Sequence, residues 1–258
     1  GVPPRDPSSI EARLPDAGGP LHFSFVLRSS CMNVIRQQPL LVNEIFHSIQ
    51  GEGTHAGLRY VFVRLSGCNL RCSYCDTSYA FKGGRRMSVD EVAEKVLEFG
   101  CKNVLLTGGE PLLQRPSPEL VRRLASAGLQ VSIETHGEVS IESVAAHARI
   151  IMDIKTPSSG MCRGGFEKNL PFLKTNDEIK FVIASQEDYF WARGIVGSRA
   201  LPVGTILFSP AQPASGAPGK FAGVELRWLA EQIVKDRLGV RLQVQLHKLI
   251  WGSDIRGV

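Results

Sequence analysis

No apolar run in the 258-residue chain approaches the roughly 18 residues that would mark a membrane span. A secretory signal is also missing: Asp6, Glu11 and Asp16 interrupt the N-terminal segment, and its one apolar patch, Phe23 to Leu27, is too short for a signal core. The formal charge is only +5, and the Lys and Arg residues are spread rather than massed, so the dense basic patch of a nucleic-acid-binding protein is lacking. These absences leave a cytoplasmic protein as the expectation, with six cysteines that serve as free thiols or metal ligands rather than disulfides. Beyond residue 40 there is no second linker, internal repeat or low-complexity tract.

Residues 1–39 are rich in Pro and Gly and show no helical or strand periodicity. They are expected to form a disordered leader, either a tag or an extended start with Met32 as the alternative beginning. Residues 40–258 are expected to be the catalytic domain. Within it, short β-branched runs alternate with amphipathic stretches. Strands are predicted at Tyr60–Leu65, Asn103–Leu106, Gln130–Glu134, Ile150–Ile154, Glu178–Ala184, Thr205–Phe208 and Leu242–Leu246. One helix starts at the Ser88/Glu91 capping box, presents Val89, Val92, Ala93, Val96 and Leu97 on one face, and stops at Gly100. The next has Ser117 as N-cap, Pro118 in the first turn and Gly128 past its end. A third amphipathic stretch runs from Val224 to Leu238. Strands alternating with helices predict right-handed βαβ units, and six or seven strands are too few for a closed eight-stranded barrel. The fold class is therefore α/β: a partial, open (β/α) barrel of about six parallel strands with its chemistry at the C-terminal strand ends.

Gly67-Cys68-Asn69-Leu70-Arg71-Cys72-Ser73-Tyr74-Cys75-Asp76-Thr77 carries the strongest chemical signal. Three thiolates on one short loop suit an iron–sulfur cubane, and three ligands for four irons leave one iron open. A zinc site completed by His47 or His55 is the structural alternative. Closed zinc sites, however, use paired knuckles, and only Cys72 and Cys75 form such a pair. Cys31, Cys101 and Cys162 stand alone and read as incidental thiols.

Cys-x3-Cys-x2-Cys after a first strand resembles the radical S-adenosylmethionine (SAM) superfamily. The resemblance implies a [4Fe–4S] cluster on Cys68, Cys72 and Cys75, whose open iron binds SAM and whose electron cleaves it to a 5′-deoxyadenosyl radical. Thr107-Gly108-Gly109-Glu110-Pro111 resembles the turn that meets the SAM amino group. Two further segments are more specific. Asn43-Glu44-Ile45-Phe46-His47-Ser48-Ile49-Gln50-Gly51-Glu52-Gly53 and Gln245-Leu246-His247-Lys248-Leu249-Ile250-Trp251 resemble the two ends of the 7-carboxy-7-deazaguanine synthase family. The resemblance covers nearly everything from Leu40 to Trp251.

That family resemblance implies a lyase that turns 6-carboxy-5,6,7,8-tetrahydropterin into 7-carboxy-7-deazaguanine and ammonia, assisted by Mg²⁺ and regenerating SAM, on the way to queuosine-type 7-deazapurines. It implies a homodimer and an external electron donor of flavodoxin or ferredoxin type. Ile49, Gln50 and Gly51 would read the pterin edge, and Glu52 would accept from its N–H groups. Arg64 would clamp its carboxylate, with Thr107 and a strand-borne His247 nearby. Thr77 would offer a hydroxyl to Mg²⁺. SAM would meet Gly109, Glu134, the run Asp153-Ile154-Lys155, and Ser209-Pro210-Ala211-Gln212. A glycyl-radical activase is the alternative enzyme, and a non-catalytic metal or electron-carrier module the alternative class.

Overall fold

The computed structural model describes residues 38–212, 223–253 and 255–258, together with residue 1. The expected leader and Cys31 lie outside the described residues, apart from residues 1, 38 and 39. Everything below belongs to the unit Arg36–Val258.

One nine-stranded sheet organises the described residues. Its strands are β1 (Leu40–Ile49), β2 (Arg59–Leu65), β3 (Arg85–Met87), β4 (Asn103–Gly108), β5 (Gln130–Thr135), β6 (Arg149–Ile154), β7 (Glu178–Ile183), β8 (Thr205–Pro210) and β9 (Arg241–Leu242). The order is β3-β1-β2-β4-β5-β6-β7-β8-β9. From β2 through β9 every pairing is parallel, as crossover connections require. β1 runs antiparallel to both β2 and β3, and its register shifts between Val42 and Glu44. The open order agrees with the expected partial barrel.

Helices α1 (Val89–Glu98), α2 (Ser117–Ser126), α3 (Glu142–Ala145), α4 (Gln186–Ser198), α5 (Leu226–Lys235) and α6 (Leu246–Trp251) follow the strands. The Ser88/Glu91 capping box is present, and Val89, Val92, Ala93 and Val96 are buried. Leu97 is 49% exposed, because it lies one residue, or about 100°, around from Val96. Ser117 is the first helical residue rather than the N-cap; Pro116 occupies that position, and the Ser117 hydroxyl donates to the Pro111 carbonyl.

Alternation along the strands divides the sheet into two faces. Val61, Val63 and Leu65 of β2 share one core with Val104 and Leu106 of β4, with Ile150, Met152 and Ile154 of β6, and with Ile179, Phe181 and Ile183 of β7. The buried face of α1 and residues Leu120, Val121 and Leu124 of α2 join that core. The other face begins with a smaller apolar floor, where Tyr60, Phe62, Leu105 and Ile151 pack with Phe46. Toward the C-terminal strand ends the same inner face turns polar: Arg64, Thr107, Glu134, Asp153, Lys180 and Ser209 all stand on it and line one cavity.

The last strand is shorter than predicted. Gln243 N–H still bonds to the Phe208 carbonyl, but Leu246 N–H bonds to the Gly51 carbonyl. Residues past Gln243 thus pair with the loop after β1 instead of extending the sheet. His247 consequently sits on α6, not on a strand.

Candidate active site

The cavity has a volume of about 1400 Å³ including its open mouth. Three loops and the inner strand ends enclose it. The cysteine loop supplies Cys68, Cys72 and Cys75, the loop after β1 supplies Gln50, Gly51 and Glu52, and the C-terminal segment supplies Gln245, His247 and Lys248. Segments nearly 200 residues apart therefore meet at one place. Ile49, Thr77, Gly109, Lys155, Pro210, Ala211 and Gln212 line it too. Among the residues expected in the site, Ile154 alone does not: alternation along β6 sends its side chain, 1% exposed, into the core.

Close backbone approach builds the cysteine loop's support. A Cβ on Gly109 would lie 2.3 Å from the Gly67 carbonyl oxygen and 2.7 Å from Cys68 Cβ, so only glycine lets the β4 turn pass against the loop. Glu110 N–H donates to the Gly67 carbonyl. The buried Glu110 carboxylate in turn accepts from Leu112 N–H, Thr135 Oγ1 and His136 N–H. His136 Nδ1 accepts from Glu138 N–H, which leaves the ring proton on Nε2 to donate to Asn69 Oδ1 at 2.8 Å. Burial lowers the His136 imidazole to about 4, in keeping with that neutral form.

The loop after β1 is held from two directions. Glu52 Oε2 accepts from Lys180 Nζ at 2.8 Å and Gln243 Nε2 at 2.9 Å, while Oε1 accepts from Gln245 Nε2 at 2.8 Å. Burial alone would raise the Glu52 carboxyl, but the Lys180 ammonium outweighs it and holds the group well below the usual carboxylate range. On the far side, Thr54 N–H and Oγ1 both donate to Glu178 Oε1, which also pairs with Arg149. Gly51 permits a further contact, since a Cβ there would fall 2.0 Å from His247 Nδ1.

Arg64 meets Glu44: its Nε donates to Glu44 Oε1 at 2.6 Å, and Tyr79 OH donates to the same oxygen at 2.9 Å. Glu44 thus fixes the stem of the guanidinium. Among the described residues neither terminal nitrogen of Arg64 is hydrogen-bonded, which leaves the bidentate fork for a ligand. Thr77 Oγ1 donates to Asp76 Oδ1 at 2.9 Å and keeps its own lone pairs. Asp76 also receives Lys248 Nζ at 2.7 Å and Gln245 Nε2 at 3.3 Å, so Gln245 bridges the cysteine loop and Glu52. Lys180, Gln243, Lys248, Asp76 and Glu44 are the members that motif reading missed as site residues. The signal for Lys180 was a polar residue on the inner register of a strand otherwise buried.

A model of the radical SAM superfamily matches residues 62–159. The 7-carboxy-7-deazaguanine synthase of Chlorobaculum tepidum is 42% identical over 227 residues, covering 86% of this chain and 99% of the relative. That of Koribacter versatilis is 41% identical over 225 residues, covering 84% and 99%. The chain belongs to the 7-carboxy-7-deazaguanine synthase family. The crystal structure of QueE from Escherichia coli matches with a TM-score of 0.62 at 20% identity, covering 81% of this chain and 95% of that one. Streptococcus suis SuiB bound to its precursor peptide SuiA matches at 0.57 and 13% identity, covering 92% and 56%. At those identities the two likenesses show the fold.

Membership in this radical SAM family brings a [4Fe–4S] cluster and SAM as cofactors, and the residues present fit both. Cys68, Cys72 and Cys75 are free, half-buried and on one cavity wall. Burial pushes Cys72 up and Cys75 up to about 11, so metal must displace the thiol protons as a cluster assembles. Among the described residues no three His, Cys, Asp or Glu side chains are grouped to hold a single metal ion, the three cysteines included. A cubane spreads its ligands over separate irons, so three thiols on one loop suit it. For SAM, the buried Asp153 Oδ1 has no hydrogen-bond partner among the described residues, although Oδ2 pairs with Lys155 at 3.0 Å. An unpaired buried carboxylate oxygen on the cavity wall is an acceptor left for a ligand.

Proposed function

We propose that this chain is the lyase that converts 6-carboxy-5,6,7,8-tetrahydropterin to 7-carboxy-7-deazaguanine and ammonia, with residues 40–258 as its catalytic domain. The observation that carries the reading is Glu52. Gln245 of the C-terminal motif, with Gln243 just ahead of it, reaches across to a carboxylate of the N-terminal motif, beside the cysteine loop. The two segments that resemble this family most specifically thus form one wall.

Bound cluster supplies the electron that cleaves SAM, and the chain's part is orientation. Cys68, Cys72 and Cys75 would hold the cluster. Gly109, Glu134, Asp153, Lys155 and the run from Ser209 to Gln212 would hold SAM, with Ile154 contributing backbone only. Gln50 and the backbone of Ile49 and Gly51 would read the pterin ring, and Glu52 would accept from its amino group and ring N–H. Arg64, steadied by Glu44, would take the substrate carboxylate, with Thr107 and His247 against the ring. Burial lowers the His247 imidazole, so it meets the substrate neutral at pH 7. Mg²⁺ would rest on Thr77, since a hydroxyl is a hard donor and the cation keeps most of its waters.

A flavodoxin- or ferredoxin-type reductant and a homodimer complete the proposal, acting in the cytoplasm. No helix among the described residues is long and apolar enough to cross a membrane.

The test is anaerobic incubation of the reduced, cluster-loaded protein with the carboxytetrahydropterin and SAM, followed by mass spectrometry. The expected product has lost ammonia. Arg64→Ala should weaken pterin binding far more than SAM binding, since removing one partner of a buried charge pair costs about 2–5 kcal/mol. Equal losses for both ligands would move the carboxylate clamp elsewhere.

A further inference from the structure

Lys180 lies outside both family-like end motifs and the cysteine loop, yet it stands at the centre of the cavity's charge. It belongs to the inner face of β7, directly across from Asp153 of β6, and its side chain is 9% exposed. Three carboxylates surround its ammonium: Glu52 at 2.8 Å, Glu134 at 3.7 Å and Asp153 at 3.7 Å. They are not equivalent. Asp153 has its own cation, Lys155, at 3.0 Å, and Glu134 accepts from the Thr107 hydroxyl at 3.0 Å. Glu52 has only amides besides, and among the described residues Lys180 is its one ion-pair partner.

The three donors on Glu52 come from different directions. Lys180 and Gln243 share Oε2, and Gln245 takes Oε1. Three bonds from the sheet, the strap after β9 and the C-terminal segment leave the carboxylate one rotamer. A carboxylate has about four lone-pair sites, so acceptor capacity remains for a ligand. Without the ammonium, a buried carboxylate flanked by Glu134 and Asp153 would take up a proton or swing away. Either change puts a donor, or nothing, where an amino-pyrimidinone ring needs acceptors.

We infer that Lys180 is a positioning residue for substrate: it fixes the Glu52 carboxylate as the acceptor that recognises the amino group and adjacent ring N–H of the pterin. The inference rests on the function proposed above. Lys180 acts through Glu52, its nearest carboxylate, rather than through the SAM contacts, because Asp153 keeps Lys155 and Glu134 keeps the Thr107 hydroxyl.

The experiment is a double-mutant cycle on the full chain with its cluster reconstituted. Lys180→Met, Glu52→Gln and the double variant are compared for pterin KM and kcat, and for SAM affinity by equilibrium dialysis without pterin. Lys180→Met is expected to raise the pterin KM by about tenfold or more, a loss in the range for breaking a buried charge pair. SAM affinity should stay within about threefold, and Lys180→Arg should recover part of the loss. The double variant should be no worse than the worse single, the mark of residues acting as one unit. An unchanged pterin KM in Lys180→Met with full iron content would overturn the inference. So would additive KM effects, or a loss confined to SAM affinity. Should Lys180→Met not fold, the double variant is compared with Glu52→Gln alone: equal KM values support the inference and a further rise overturns it. Wild-type protein that ignores the pterin sinks the proposed function; wild-type turnover beside an indifferent Lys180→Met sinks only this inference.

Discussion

Alanine at Cys68, Cys72 or Cys75 is expected to abolish both the iron–sulfur absorbance and all product formation, while Cys101→Ala and Cys162→Ala keep both. The first three thiols line one cavity wall on a single loop. With three protein ligands for a cubane, losing one leaves a second iron open and the cluster prone to fall apart. The two controls are built differently. Cys101 is buried with its thiol directed to the Arg59 carbonyl, and Cys162 is exposed; neither lines the cavity. Cys101→Ala should cost about 1 kcal/mol through a small void and a lost weak hydrogen bond. The check is iron and sulfide per chain after anaerobic reconstitution, read with the visible spectrum. A stable cluster and full activity in any of the first three variants would remove that cysteine from the site.

Gly109→Ala is expected to do nearly as much harm without touching a ligand. The new Cβ would sit 2.3 Å from the Gly67 carbonyl oxygen and 2.7 Å from Cys68 Cβ, both far inside van der Waals contact. Backbone cannot yield cheaply there, because Glu110 N–H donates to that same Gly67 carbonyl and Gly109 N–H to the Leu65 carbonyl. The cluster loop must move, and overpacking of this kind costs about 1–3 kcal/mol or more. The expected result is cluster content below about a tenth of wild type, on the same scale of a few kcal/mol. Gly128→Ala makes the contrast: its φ of +81° strains alanine by about 1–2 kcal/mol, but nothing among the described residues lies within 4 Å of the added carbon. It should lower the melting temperature slightly and leave iron content intact. Normal cluster loading in Gly109→Ala would show that the turn does not support the loop.

Much of this architecture was legible in the sequence. Six of the seven predicted strands lie within about two residues of the observed ones, because a parallel strand covered on both faces writes a short β-branched run between turn signals. The capping box and the glycine stops placed α1 and α2. β1 was read as a motif and not as a strand, since Glu44 on Arg64 and a register shift interrupt its alternation. The seventh strand failed for a tertiary reason: Gln243 and Gln245 alternate as a strand would, but they point at Glu52 from a strap that continues into α6. His247 moved from strand to helix with it. Of the site, the cavity-lining cysteines of one contiguous motif were readable, whereas partners from distant strands were not. Lys180 and Glu44 acquire meaning only once the sheet sets β7 parallel beside β6 and β1 antiparallel beside β2.

The central claim concerns what the radical chemistry is used for, and the ratio of 7-carboxy-7-deazaguanine formed to SAM supplied tests it most directly. The reduced, cluster-loaded chain is incubated anaerobically with excess carboxytetrahydropterin and substoichiometric SAM, and product and 5′-deoxyadenosine are counted by mass spectrometry. The account predicts many products per SAM, with little deoxyadenosine accumulating, because the hydrogen is returned and SAM is rebuilt. SAM cleaved one for one, with no pterin consumed by protein whose cluster is intact, would contradict it and would fit a glycyl-radical activase instead.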